Sequence, residues 1–158
     1  LVAEELAGSL QHHSRSGLCP YCALLAEELA LGSRVVLETT RFVVICPFAS
    51  RFPFEMWILP RRHASHFEEQ DATELTELAA SLKSALRRLG AVLNDPAYNY
   101  YLHTAPLRTA AMPHFHWQHW IKQITISADP AGNLGSNGNY EDIFRFITVL
   151  RDTSIIIL

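Results

Sequence analysis

The 158-residue chain has few of the features that mark secreted, membrane or nucleic-acid-binding proteins. Its three cysteines are too few for a secreted disulfide framework. No apolar run approaches the roughly 20 residues that a transmembrane helix needs. The net charge of -3 provides no broad basic surface for nucleic acid. We therefore expect neither a membrane nor a nucleic-acid partner.

The first ten residues also lack the features of a secretion signal. Glu4 and Glu5 interrupt the apolar residues, and no basic segment precedes them. Together with the cysteine usage, this favours a cytoplasmic protein. The initiator methionine is absent as well, so we expect the chain to be a piece of a longer polypeptide.

The length and the hydrophobic patterns predict one α+β domain over residues 1–158. Val2, Leu6 and Leu10 share a helical face, and Gly32 is placed to end a second helix. Predicted helices comprise the opening turns and residues 23–31, 71–93 and 140–150, with a loop at 129–139. Predicted strands comprise residues 35–38, 42–46, 56–59, 98–104, 114–127 and 155–158, the first three of them as an antiparallel meander.

The long helix has the clearest start signal. Asp71 followed by Glu74 is typical of a capping box, in which each side chain accepts a hydrogen bond from the other residue's backbone. Leucines at 75, 78, 82, 86, 89 and 93 then recur at helical spacing, which predicts one apolar face lying on the sheet.

The CPYC segment at residues 19–22 is the first candidate for chemistry. Two thiolates at this spacing can hold one Zn²⁺, which then needs two further ligands. The same four letters also occur in glutaredoxin-type redox sites, where a β-strand precedes the first cysteine. Here the polar residues 12–17 precede it, which favours zinc.

Cys46 lies alone in an apolar strand, and we expect it in the core. The candidate zinc-ligating histidines are His63, His66, His103, His114, His116 and His119.

The segment HFHWQHW at residues 114–120 is the second candidate. In a strand, His114, His116 and Gln118 would project on one face, and Phe115, Trp117 and His119 on the other. Imidazoles and an amide on one face are costly as core, because every buried polar atom needs a partner. This pattern suits a metal ligand beside a free imidazole, although a purely structural metal site fits it equally well.

Three segments together resemble one family. They are CPYC at residues 19–22, VICPFASRFPFEMWILPRRH at 44–63 and HFHWQ at 114–118. The chain resembles galactose-1-phosphate uridylyltransferases, which belong to the histidine-triad superfamily together with ADP-glucose phosphorylase-like enzymes. The resemblance covers residues 1–120, and the tail from 121 to 158 departs from it. The resemblance is stronger to the family's C-terminal half than to its N-terminal half.

The resemblance implies a histidine-triad-like antiparallel sheet with packed helices and a CxxC zinc knuckle. It implies Zn²⁺ on Cys19, Cys22, His63 and His114. It further implies His116 as the nucleophile and Gln118 as the phosphoryl-holding residue, with a nucleotide sugar and a sugar 1-phosphate as substrates in galactose metabolism. Arg51 is the candidate substrate-binding cation, and Arg61 and Arg62 are weaker ones.

Two departures from the family leave alternatives open. Family members usually contain two such domains and usually carry the nucleophile in the N-terminal one, so a partner N-terminal half-domain or a homodimer is expected here. The alternatives are a non-catalytic zinc-stabilised half-domain, for which an exposed Trp120 would suit an interface, and a phosphorylase or hydrolase of the same superfamily. A thiol-disulfide oxidoreductase is the remote alternative.

Overall fold

The structure of the chain, a computed structural model, describes residues 2–123. Five antiparallel strands form one sheet in the order β1-β2-β3-β5-β4. The predicted elements at residues 129–139, 140–150 and 155–158 lie outside the described residues. The strands are β1 (Val35–Glu38), β2 (Phe42–Ile45), β3 (Met56–Pro60), β4 (Tyr98–His103) and β5 (Gln118–Gln123).

The first three strands form the predicted meander, since β1 pairs with β2 and β2 pairs with β3. The last strand is then inserted between β3 and β4, so that β4 becomes the edge of the sheet. An edge position explains why the first half of β4 is exposed. Inserting β5 brings the end of the histidine segment into the middle of the fold.

Three α-helices cover the sheet: α1 (Val2–Ser16), α2 (Pro20–Leu31) and α3 (Ala72–Leu93). A 3₁₀ turn at Phe67–Glu69 lies between β3 and α3. Gly32 ends α2 at φ 68°, a left-handed conformation that favours glycine, as predicted. The capping box of α3 is also confirmed, because Glu74 N–H donates to the Asp71 carboxylate at 2.7 Å and Asp71 N–H donates to Glu74 at 3.1 Å.

Two details of the helices differ from the prediction. The opening helix was expected to be short, but α1 continues through the polar residues to Ser16, and most of their side chains are exposed. Leu75 was expected on the apolar face of α3, yet it is 43% exposed. Leu78 and Leu89 do lie in the core.

Two apolar clusters fill the spaces on either side of the sheet. Strand alternation sends Val44 and Ile58 toward α3, where they join Leu89, Trp117 and Ile121. Their neighbours in the strands turn toward α1 and α2, where Val43, Ile45 and Leu59 pack against Leu25 and Phe115. Cys46 belongs to the cluster under α3 and is buried, as predicted. Within the described residues, no helix is both long and apolar enough to cross a bilayer.

The predicted strand at 114–127 begins later than expected, at Gln118. The ladder between β5 and β4 stops at the pair His103–Gln118. The next N–H, that of Trp117, donates to the Ala64 carbonyl at 2.9 Å instead of to β4. Alternation therefore does not apply to residues 114–117. Phe115 and Trp117 pack on opposite faces of the sheet, so the shared face predicted for these two residues is wrong. The shared face of His114, His116 and Gln118 stays a prediction, since residues 114–117 do not form part of the strand.

Candidate metal centre and histidine site

Cys19, Cys22 and His63 bring one ligand atom each to within 4.8 Å of one another. Cys19 lies just before α2, Cys22 lies in its first turn, and His63 follows β3. The Cys22 Sγ to His63 Nδ1 distance is 3.3 Å. Ligands on a tetrahedral Zn²⁺ with Zn–S near 2.3 Å and Zn–N near 2.0 Å are separated by roughly 3.5 Å, so the donor set and spacing fit zinc.

The tautomer of His63 supports the same assignment. Its Nε2 lies 3.0 Å from the Met112 carbonyl oxygen, which can only accept, so Nε2 carries the proton. Nδ1 then presents a lone pair toward Cys22. Metal-ligating histidines generally donate their other ring N–H to a carbonyl or carboxylate in this way. The residues present therefore fit a zinc ion.

The two thiols differ in acidity. The hydrogen bond from Cys22 is the largest influence on Cys19 and lowers the pKa of its thiol, aided by backbone N–H groups at the start of α2. The same interaction raises the pKa of the Cys22 thiol, with burial as a further cause. One thiolate is thus favoured before any cation arrives. Zn²⁺ would deprotonate the second, because a thiolate is the form that ligates.

His114 is placed differently from the other three predicted ligands. It lies in a turn at the end of the loop before β5 and is not in the group formed by Cys19, Cys22 and His63. Its ring centroid lies 6.2 Å from that of His13 on α1. Its role as the fourth ligand stays a prediction.

His116 is fully buried beside the candidate metal centre. Its ring makes an edge-to-face contact with His63, with centroids 5.6 Å apart. Burial is the main reason that the pKa of His116 falls to about 4, so the ring is neutral at pH 7. Nδ1–H donates to the Trp117 carbonyl at 3.0 Å. Nε2 makes no hydrogen bond of good geometry within the described residues, although backbone groups of Arg62 and Pro60 lie near the ring and partly offset the effect of burial on its pKa. Nε2 is therefore the ring nitrogen that carries the free lone pair.

Gln118 takes part in a network that the sequence did not reveal. The Glu5 carboxylate accepts hydrogen bonds from Gln118 Nε2 at 2.7 Å and from the Tyr21 hydroxyl at 2.6 Å, and it pairs with His103 Nδ1 at 2.6 Å. Gln118 and His103 are paired in the β4–β5 ladder, so their side chains lie on the same face, and both reach Glu5 on α1. Glu5 and Gln118 are 113 positions apart in the sequence, so no local sequence pattern could predict their contact.

Glu5 is expected to contribute measurably to stability. Burial alone would raise its pKa, but the hydrogen bonds from His103, Tyr21 and Gln118 outweigh burial and lower it. A carboxyl whose folded pKa is lowered stabilises the fold above its unfolded pKa, about 4.3, and this contribution is lost as the pH falls further. Glu5→Gln should lower the free energy of unfolding at pH 7 by about 1.5–3 kcal/mol.

Urea unfolding at several pH values measures this effect. The difference between wild type and Glu5→Gln should shrink below about pH 4, where the wild-type carboxyl becomes protonated. Glu27→Gln, at an exposed position on α2, is the matched control and should change stability by less than about 0.5 kcal/mol. A constant difference from pH 3 to pH 7 would show that the charge of Glu5 is not what stabilises α1.

The three arginines predicted to contact substrate differ in their surroundings. Arg51 is exposed and lines a cavity of about 370 Å³ beside Glu5, Trp57, His103 and Trp120. Arg61 pairs with Glu38, and Arg62 pairs with Glu74 at 2.8 Å. Arg51 is therefore the better candidate for contacting an anionic ligand.

The remaining aromatic and histidine residues serve other contacts. Trp120 was expected to be exposed, but it is buried and stacks on Trp57 with centroids 4.5 Å apart, because both face the α1 side of the sheet. His103 stacks on Trp120 at 4.3 Å. His119 packs on the opposite side near Phe67. His103, His119 and His66 all lie outside the candidate metal group.

Comparison with known proteins matches residues 9–128 to the family model described as galactose-1-phosphate uridyl transferase, C-terminal domain. The chain is 36% identical over 118 residues to an ADP-glucose phosphorylase of Arabidopsis thaliana, covering 73% of this chain and 32% of that protein. It is 35% identical over 104 residues to a galactose-1-phosphate uridylyltransferase of Hypocrea jecorina, covering 65% of this chain and 26% of that protein. The chain thus spans about a third or less of these relatives' length.

Solved structures agree with the fold described above. A crystal structure of an ADP-glucose phosphorylase from Arabidopsis thaliana with bound ADP-glucose superposes with a TM-score of 0.77 at 31% identity, over 98% of this chain and 49% of that one. A histidine triad nucleotide-binding protein from Sulfolobus tokodaii superposes with a TM-score of 0.58 at 19% identity, over 84% of this chain and 89% of that one. At that identity the second likeness concerns the fold alone, and it confirms the predicted histidine-triad-like sheet.

Proposed function

The chain belongs to the galactose-1-phosphate uridylyltransferase family, as its C-terminal domain, and from this we propose that it acts in nucleotidyl transfer between a nucleotide sugar and a sugar 1-phosphate. The single observation that carries the catalytic proposal is the state of His116. The ring is neutral, its Nδ1 proton is held by the Trp117 carbonyl, and its Nε2 makes no hydrogen bond of good geometry among residues 2–123. A nitrogen in this state is a nucleophile.

The proposed reaction is a double displacement. His116 Nε2 forms a bond to the α-phosphorus of the nucleotide sugar, and the bond from phosphorus to the sugar 1-phosphate oxygen breaks. The sugar 1-phosphate leaves with that electron pair, and the nucleotidyl group remains on the imidazole. A second sugar phosphate then attacks the same phosphorus and releases His116. With inorganic phosphate as acceptor the same chemistry is a phosphorolysis, and with water it is a hydrolysis.

The other residues would position the reactants. Gln118 lies two residues beyond His116, and its second amide hydrogen is the candidate donor to a phosphoryl oxygen, since the first is directed at Glu5. Arg51 would contact a phosphate from the cavity rim. A zinc ion on Cys19, Cys22, His63 and His114 would fix the chain segments on both sides of His116. Most of the catalytic effect would come from orientation and charge stabilisation.

A second candidate function is favoured by the burial of His116. The side chain has no exposed surface, and the Glu5 carboxylate lies beside Gln118, where a phosphoryl group would be repelled. On this view the chain is a zinc-stabilised half-domain that supports an N-terminal half or a second copy, and His116 contributes to packing. A thiol oxidoreductase is a weaker candidate, because α1 rather than a strand leads to Cys19. The cytoplasmic location stays a prediction.

Covalent labelling separates the candidates. The protein is incubated with UDP-glucose or ADP-glucose labelled in the α-phosphate, quenched at alkaline pH and digested for mass spectrometry. A nucleotidyl group on His116, released by acid and by added sugar 1-phosphate, is the expected result. A folded, zinc-loaded protein that takes up no label would contradict the catalytic proposal and leave the half-domain.

A further inference from the structure

We propose that Ser65, His66 and Thr109 form a hydrogen-bond relay that positions His63 as a metal ligand. The inference rests on the metal centre of the proposed function and gives a role to three residues outside it. Ser65 Oγ lies 2.9 Å from His66 Nδ1, and His66 Nε2 lies 3.1 Å from Thr109 Oγ1. Ser65 and His66 are 3% and 2% exposed, so solvent does not compete for the bond between them, whereas Thr109 forms the exposed outer end of the relay.

The donor and the acceptor of each hydrogen bond in the relay can be assigned by starting from Thr109. The Thr109 hydroxyl donates to the Pro106 carbonyl at 2.7 Å, so Thr109 Oγ1 must accept from His66 Nε2–H. His66 Nδ1 is then a lone pair, which accepts from the Ser65 hydroxyl. In the opposite tautomer, Thr109 would need two protons on one hydroxyl. The relay therefore satisfies every donor and acceptor in a single arrangement.

The relay reaches the metal centre through the peptide groups of Met112. Ser65 Oγ accepts from the Met112 N–H at 3.0 Å, and the Met112 carbonyl accepts from His63 Nε2–H at 3.0 Å. The latter bond sets the tautomer and the orientation of the His63 ring, whose Nδ1 lies 3.3 Å from Cys22 Sγ. His63 is itself exposed, so few packing contacts hold its ring. Holding the Met112 carbonyl in place therefore also fixes the orientation of the His63 ring and of its Nδ1.

The same segment carries the predicted fourth ligand. Met112 lies two residues before His114, and the Phe115 N–H donates to the Met112 carbonyl at 3.2 Å. The Ala105 N–H donates to the Ser65 carbonyl at 2.9 Å, which attaches the start of the loop to the same short stretch after β3. The relay thus closes the loop from residue 105 to residue 115 against the residues that follow His63.

The first test removes the hydroxyl at the centre of the relay. Ser65→Ala leaves the Met112 N–H and His66 without their shared partner, and we expect a 10–100-fold loss in zinc affinity, measured by competition with a chromophoric chelator. Ser81→Ala is the matched control, since Ser81 is similarly buried and its hydroxyl donates to the Glu77 carbonyl within α3. It should leave zinc affinity unchanged.

Cobalt absorption provides a readout that general loosening of the fold would not reproduce. Co²⁺ bound to the wild type should show thiolate charge-transfer bands and d–d bands of a tetrahedral site. Ser65→Ala should keep the charge-transfer bands, because Cys19 and Cys22 are untouched, and should shift the d–d bands as the His63 ring reorients. Identical d–d bands in the two proteins would overturn the proposal.

A second variant covers the case in which Ser65→Ala does not fold. Thr109 is exposed, so Thr109→Val tests the outer end of the relay with little risk to the core. It should weaken zinc binding severalfold, and Thr109→Ser should restore it by returning the hydroxyl. Equal zinc affinities for wild type and Thr109→Val would overturn the relay. Because zinc is titrated without nucleotide, a negative labelling result leaves this test valid, whereas a wild type without zinc affinity would overturn both.

Discussion

Replacing His116 by asparagine is expected to abolish the covalent nucleotidyl label and to lower transfer by about 10⁴-fold or more, as is usual when a nucleophile is removed. The substitution is chosen from the geometry of the ring. An asparagine amide can take the place of Nδ1–H and donate to the Trp117 carbonyl, while nothing takes the place of Nε2. The fold and the zinc content should therefore persist, and only the reaction should be lost.

His119→Asn is the matched control for this experiment. His119 is also buried and lies three residues away, but it packs on the α3 side of the sheet, away from the metal centre. It should retain the label and most of the transfer rate. Wild type and His116→Asn with equal rates would show that His116 is a packing residue, and the half-domain function would then stand.

Removing the metal is expected to have the largest effect on stability. Cys22→Ala, or chelation of the wild type, should reduce zinc from one per chain to less than a tenth of that. A ligand present at about 1,000 times its dissociation constant stabilises the folded state by about 4 kcal/mol. For a domain of this size that corresponds to a fall in Tm of roughly 10 °C. Calorimetry with metal analysis on the same samples measures both quantities.

Cys46→Ala separates metal loss from the loss of a thiol. Cys46 is buried in the cluster under α3, so this variant also loses a thiol and some packing, but it should keep its zinc. Thiol titration adds a further criterion, since Cys19 and Cys22 should resist alkylation until a chelator is added. A disulfide between them in freshly purified protein, with no zinc, would contradict the metal centre and favour the redox alternative.

Local sequence patterns predicted the parts of the fold that local physics determines. The cap of α3 depends on Asp71 and Glu74, which are neighbours in sequence, and the stop of α2 depends on Gly32 alone. The three strands of the meander lie within 26 residues of one another, so alternation and turn residues were enough to place them. The structure also brings Cys19, Cys22 and His63 together; local pattern had left six candidate histidines, and only the family resemblance implied His63.

What the sequence could not predict depends on contacts between distant segments. The strand pattern continued back to His114, but hydrogen bonds to Ala64 and Met112 draw residues 115–117 out of the ladder. Burial of Trp120 follows from Trp57 on the neighbouring strand. The Glu5 network joins residues about 100 positions apart, and the relay through His66 depends on the direction of individual hydrogen bonds.

X-ray absorption at the zinc edge of the purified protein, compared with His114→Asn, tests the metal centre most directly. The wild type should show two sulfur atoms near 2.3 Å and two nitrogens near 2.0 Å from one zinc ion. His114→Asn should lose one nitrogen and keep both sulfurs. A zinc ion surrounded only by oxygen and nitrogen, or a protein that retains none after dialysis, would contradict a centre built on Cys19, Cys22 and His63.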